Sequence, residues 1–172
     1  MPTMLIHACG ILRGESMVIF TGPSETGKTT IARLCGSKYG KVVNDEMLLV
    51  TGGADGGSLS IHGIPIIGGV KQRLNIKAPP VCVMMLKQAK KTSVRPLDRV
   101  EAYLRFMRQV IAPRHITEPD DINKMLTATT GFADTLTKAI PCYELAFTLE
   151  KEPLWQAVAE TEASLGKGEA AV

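Results

Sequence analysis

The sequence predicts an α/β domain in which helices flank a mixed sheet, and three observations carry that expectation. Two early pairs of apolar runs are joined by turn residues and read as hairpins: Met4–Ala8 with Met17–Phe20 across Arg13-Gly14-Glu15, and Met47–Thr51 with Ser58–His62 across Gly52–Gly57. Later segments alternate between strand and helix patterns. Between the two regimes, Pro80–Leu86 is apolar without alternation, the pattern of a central strand covered on both faces. The 172 residues suffice for one domain, expected over 1–165, with a small, polar tail over 166–172.

The elements follow in order. After Met17–Phe20, apolar residues at helical spacing begin near Thr30-Ile31-Ala32 and stop by Gly36 and Gly40. Lys41–Asn44 is a short strand that ends in Asp45-Glu46. Gly63–Gly69 is read as a loop, because its proline and glycines resist ladder pairing. Pro96 is expected to open a helix with Leu97, Val100, Leu104, Met107 and Ile111 inward, ending before Pro113. A second helix starts near Pro119 with Ile122, Met125, Leu126, Phe132, Leu136 and Ile140 inward, and Gly131 is a point where it could split. Tyr143–Leu149 is the last strand and Pro153–Leu165 the last helix.

One stretch carries chemistry on its face. Gly22-Pro23-Ser24-Glu25-Thr26-Gly27-Lys28-Thr29 lies between an apolar strand and a helix, the setting a phosphate-binding loop requires. Glycines let backbone N–H groups turn inward around an anion, and the helix start adds its positive end. Residues 22–30, closing with Thr30, are therefore the expected nucleotide contacts. Lys28 is expected at the β- and γ-phosphates of ATP and Thr29 at a Mg²⁺ ion bridging them.

Composition narrows the alternatives. A net charge of +3 and 5% aromatic residues argue against nucleic-acid binding, which favours basic faces and stacking platforms. No segment has the length and apolarity of a membrane span, so no membrane partner is expected. Cys9, Cys35, Cys82 and Cys142 form no Cys-x-x-Cys pair, which speaks against structural metal and for a reducing, cytoplasmic setting. Association into a homo-oligomer is left open.

A phosphate loop needs carboxylates near it to organise metal or to receive a proton. Asp45, with Glu46 beside it, is the leading pair; its strand is expected next to the phosphate-loop strand, and both acids are candidate metal ligands with Thr29. From spacing alone His7 reads as a structural histidine, and His62 and His115 have no evident partner. Residues 87–114 hold eight Lys/Arg against Asp98 and Glu101. Lys87, Lys90, Lys91 and Arg95 are expected in a loop at a strand end, where ligands bind, while Arg99, Arg105 and Arg108 form a solvated helix side or a basic wall.

Taken together, His7 upstream, Gly22-Pro23-Ser24-x-x-Gly27-Lys28-Thr29, Val42-Val43-Asn44-Asp45-Glu46, and the hairpin into Ile61-His62-Gly63-Ile64-Pro65 resemble the catalytic domain of HPr serine kinase/phosphorylase. The Pro141–Leu145 strand and the Leu154-Trp155 helix are similar to the ends of its small relatives. The resemblance implies a P-loop fold related to phosphoenolpyruvate carboxykinase and ATP-dependent transfer to a hydroxyl, a serine of a partner protein in that family. It implies Asp45 as catalytic base or acid, Glu46 as the acid beside it, His7 as a histidine close to that carboxylate, and Lys28 and Thr29 as the phosphate and metal pair. The sequence departs from the family at Ser60, where an acid that helps hold metal is expected, and at His62, where arginine is usual. The acceptor is not identified. A non-catalytic nucleotide switch and a small-molecule kinase stand as the alternatives.

Overall fold

A computed structural model describes residues 3–52, 58–111 and 118–168, with side chains to residue 166. Most of the predicted Gly52–Gly57 turn with Asp55, the helix stop before Pro113, Arg114, His115 and the last four residues of the tail lie outside the described residues. In chain order the elements are β1 (Thr3–Arg13), β2 (Ser16–Thr21), α1 (Lys28–Leu34), β3 (Lys41–Asn44), β4 (Met47–Thr51), β5 (Ser60–Gly63), β6 (Lys77–Ala78), β7 (Pro80–Gln88), β8 (Ser93–Pro96), α2 (Arg99–Met107), β9 (Val110–Ile111), α3 (Pro119–Ala139), β10 (Cys142–Phe147) and α4 (Lys151–Gly168).

β1 is the strand on which the rest is hung. Its first half, Thr3–His7, pairs antiparallel with β4, and Leu5-Ile6 also pairs with β9. Its second half, Ala8–Arg13, pairs antiparallel with β2, and Gly10–Leu12 also pairs with β3. The change of partner falls between His7, opposite Met47, and Ala8, opposite Thr21. Beyond β2 the sheet continues through β7 and β10, both parallel, to an antiparallel edge at β8; beyond β4 it continues through β5 to β6. The sheet is mixed, and the fold is α/β.

Strand alternation sorts the apolar residues onto two cores. Met17, Ile19, Val83 and Met85 face the side covered by α2 and α3, with Ala102, Phe106, Phe132 and Leu136. Val18, Phe20, Cys82 and Met84 face the other, with Ile31, Leu154 and Trp155 of α1 and α4. Trp155 stacks on Tyr39, meets Phe20 edge-on and donates its ring N–H to the Leu34 carbonyl. The first hairpin forms between β2 and Ala8–Arg13, whereas the predicted Met4–His7 pairs with β4; β4 pairs with β5 as the second hairpin, and β7 is central as its unbroken apolar run predicts. The four cysteines are free thiols, three of them buried. Burial pushes the Cys82 and Cys142 thiols up to about 12, which keeps them protonated as small core residues. No described helix is long and apolar enough to cross a membrane.

Five expectations are corrected. β3 lies beside β1 and not beside β2, because the β1 hairpin occupies the edge of β2 that a simple parallel sheet would leave for it. Pro96 ends β8, and α2 begins only after Asp98, whose side chain accepts the Glu101 N–H as an N-cap. With Leu97 before the helix and Ile111 in β9, the inward line is Ala102 and Phe106; Leu104 is 58% and Val100 68% exposed. On α3, Phe132, Ala133 and Leu136 are buried whereas Leu126 is exposed, and Gly131 does not split the helix. α4 begins two residues earlier and ends three later than its pattern suggests.

Candidate functional site

The phosphate loop leaves the C-terminal end of β2, between its neighbours β1 and β7, and enters α1. Gly27 takes φ 111°, and a Cβ there would lie 2.6 Å from Cζ of Phe147 at the end of β10, so only glycine lets the loop sit on that ring. Glu25 holds φ 68°, a left-handed value that non-glycine residues seldom adopt. Three hydrogen bonds surround it: the Thr26 N–H and hydroxyl both donate to the Pro23 carbonyl, and Gln88 at the end of β7 donates to the Glu25 carbonyl.

Lys28 is the first residue of α1 and only 6% exposed. Its Nζ donates to the carbonyls of Gly22 at 2.7 Å and Pro23 at 3.0 Å. Burial holds its pKa below the ordinary lysine value, with Glu46 pulling the other way. A cavity of about 330 Å³ opens over the loop, lined by Ser24, Glu25, Gly27, Lys28, Thr29, Thr30, His7 and Glu46. Gly22, Pro23 and Thr26, also predicted as contacts, shape the loop from outside this lining.

His7 reaches the cavity from β1 and Glu46 from a turn. Glu46 is in the β3–β4 turn, and its carbonyl accepts the Ala8 N–H, so the turn is fastened to β1 where that strand changes partner. The Thr21 hydroxyl donates to the His7 carbonyl and fastens the loop strand to the same point. His7 Nε2 and Glu46 Oε1 are 3.6 Å apart. The imidazole is held below its usual pKa, first by burial and then by the Lys28 ammonium, with Glu46 opposing both.

Asp45 has a different place. It is 1% exposed, and its two oxygens accept the backbone N–H groups of Gly69 at 3.1 Å and Val70 at 3.3 Å. The glycine loop after β5 thus closes over the carboxylate and keeps it off the cavity wall that Glu46 occupies. Asn44 fastens the start of that loop, donating to the Ile64 and Ile66 carbonyls while its own oxygen accepts the Glu46 and Met47 N–H groups.

The oxygens suit a hard cation at one point. A Cβ on Gly69 would stand 2.6 Å from Thr29 Cγ2, 3.0 Å from the Thr29 hydroxyl and 3.1 Å from Asp45 Oδ2, so glycine lets the loop pass close against both oxygen-bearing side chains. An ionised carboxylate has about four lone-pair sites, and two N–H donors leave room for a metal. Of the three predicted ligands, Thr29 and Asp45 thus both lie against Gly69, whereas Glu46 turns toward His7. No cluster of three His, Cys, Asp or Glu suited to a metal occurs among the described residues.

Three comparisons bear on kinship. A family model described as "SynChlorMet cassette protein ScmC" matches residues 1–162. The chain belongs to the ScmC family. No curated protein matches this ScmC-family chain. Among solved structures it is similar to the Hpr(Ser) kinase/phosphatase from Coxiella burnetii, at 15% identity over 94% of this chain and 98% of that one, with a TM-score of 0.46. Residue roles in the ScmC-family chain rest on its own geometry.

Elsewhere in the ScmC-family chain the predicted basic residues divide. Arg95 lies in β8 and not in the loop before it; it pairs with Glu101 through both nitrogens and also reaches Glu144. Arg105 bonds the same two acids, and Arg99 bonds Asp134. Lys87, Lys90 and Lys91 are exposed. His62 shares a 2.8 Å hydrogen bond with Thr51 across the β4–β5 hairpin, a structural role. Sequence reading missed Asn44 and Gly69. The clue to Asn44 is a strong turn former directly after the apolar Val42-Val43, where a side chain with both donors and acceptors can satisfy two loops at once.

Proposed function

We propose that this chain is an ATP-dependent phosphotransferase that moves the γ-phosphoryl group to a hydroxyl acceptor. The observation that carries the reading is a single cavity walled by the loop residues Ser24, Glu25 and Gly27 to Thr30, Lys28 among them, and by the His7–Glu46 pair. Loop N–H groups and Lys28 bind and orient the phosphates. Bound Mg²⁺, held by Thr29 and Asp45, would supply charge neutralisation at the phosphate oxygens. Glu46 is the carboxylate on the open wall and receives the acceptor proton; His7, neutral beside it, orients that carboxylate. In the balanced step the acceptor oxygen bonds to phosphorus, the β–γ bridging bond breaks to release ADP, and the hydroxyl proton passes to Glu46.

The reading is tested by ATP binding and by ATP-to-ADP turnover in the parent chain and in Lys28→Ala. Loss of most ATP affinity with the fold retained is the expected result, and parental affinity in the variant would overturn the phosphate-loop assignment. Because Lys28 satisfies two loop carbonyls, the same variant should also melt somewhat lower.

Two observations favour a second reading, a nucleotide-binding switch without transfer. Ser60 stands where the resemblance expects a metal-holding acid, and both oxygens of Asp45 are occupied by loop N–H groups. That reading predicts ATP binding with no turnover under any acceptor.

A further inference from the structure

A second, smaller cavity, of about 190 Å³, lies on the other side of the phosphate loop. Its walls are Gly22 and Pro23 of the loop, Met85 and Leu86 of β7, and Arg105 and Arg108 at the end of α2, with Gln109 at its edge. Two contacts tie it to the first cavity. The Gly22 and Pro23 carbonyls that border it are the ones that hold Lys28 Nζ, the group expected at the γ-phosphate. The Gln109 carbonyl accepts the His7 N–H at 2.8 Å, so His7 is bonded directly to its rim. The second cavity therefore adjoins the γ-phosphate end of the first and not its nucleoside end.

The charge of this cavity is specific. Glu101 and Glu144 are both engaged by Arg95 and Arg105, so two carboxylates face two guanidiniums. Arg108, exposed one turn further along, makes no ion pair with any described residue. It brings an uncompensated, planar, multi-donor cation to a wall whose other cation, Arg105, is already paired with Glu101 and Glu144. Such a fork suits a carboxylate or phosphate. The volume is below the roughly 300–1,000 Å³ of sites for drug-sized ligands, so it admits only a small group.

We propose that this cavity is the acceptor subsite and that it takes a small hydroxy acid, with the anionic group on Arg108 and the hydroxyl turned past Gly22 toward Lys28 and Glu46. The proposal rests on the phosphotransferase reading and adds the substrate class to it. Arg108 is then a specificity residue: it separates an acid from a neutral alcohol of the same size.

The test is direct binding to the full chain saturated with Mg²⁺ and ADP, using glycerate, lactate and serine as probes and glycerol as the neutral control. At least one acid should bind and glycerol should not. Arg108→Ala should weaken that acid about tenfold or more, the scale of one lost charge-assisted bond, and Arg108→Lys should recover part of the loss. ATP affinity should be the same in all three proteins, because Arg108 is not in the nucleotide cavity. Equal binding of acids and glycerol, binding of no acid, or acid binding indifferent to Arg108→Ala would each overturn the subsite. Failure of the parent chain to bind ATP would instead overturn the phosphotransferase reading, and with it the acceptor role of any acid found bound.

Discussion

His7 Nε2 stands 3.6 Å from Glu46 Oε1, and the β3–β4 turn that carries Glu46 is bonded to β1 through the Ala8 N–H next to His7. The contact joins the end of one half of β1 to the turn that carries both candidate acids. It gives Glu46 surroundings different from those of Asp45, whose oxygens accept the Gly69 and Val70 N–H groups.

Glu46→Gln should therefore slow transfer by roughly 10²–10⁴-fold while ATP affinity changes little, since a proton acceptor acts on the chemical step. Asp45→Asn should instead raise the Mg²⁺ concentration needed for half-maximal ATP binding. Single-turnover transfer and metal titrations of both variants check the division. Equal effects of the two substitutions on transfer, with metal dependence unchanged, would return the base to Asp45.

How far the sequence discloses this site can be judged residue by residue. The phosphate loop is legible because its chemistry is local: glycines, lysine and threonine at set spacing between a strand and a helix. Asp45-Glu46 is legible as a pair, but not which acid faces the cavity, because that depends on a glycine loop more than twenty residues later donating its N–H groups to Asp45. His7 becomes a site residue only through the family resemblance or through β1 changing partner beside it. The misread face of α2 has a plain cause. Leu97 and Ile111 flank the helix without belonging to it, while Val100, Leu104 and Met107 recur at helical spacing whichever side is covered; the core takes the side of Ala102 and Phe106 instead.

That correction has a measurable consequence. Phe106→Ala should destabilise the chain by about 3–5 kcal/mol, because a fully buried ring leaves a cavity between α2 and α3. Leu104→Ala should stay within about 0.5 kcal/mol of the parent, as an exposed substitution away from special geometry. Denaturant midpoints of the two variants decide it, and a large loss with Leu104→Ala would restore the original stripe.

The lowered pKa of His7 sets the sign of a pH effect on stability. Burial, then Lys28, disfavours its cation in the folded chain, while the unfolded chain binds the proton near the ordinary value of about 6.5. Below that value the unfolded state carries more protons, so the His7 contribution is fully present above about pH 6.5 and is lost as pH falls toward the folded-state pKa. Melting curves between pH 7.5 and 5 should show the parent losing stability faster than His7→Gln. Parallel curves would mean that His7 titrates alike in both states.

Phe147 supports Gly27 from the end of β10, about 120 residues further along the chain. While the chain emerges from the ribosome, residues 22–30 are exposed long before the ring that shapes them has been made. The N-terminal segment then has the lettering of a phosphate loop without its floor, and β1 waits equally for β9 at Val110-Ile111. The shaping of this loop is thus deferred until β10 has been made, and a truncated product lacking that strand would carry the loop's residues without the ring beneath Gly27.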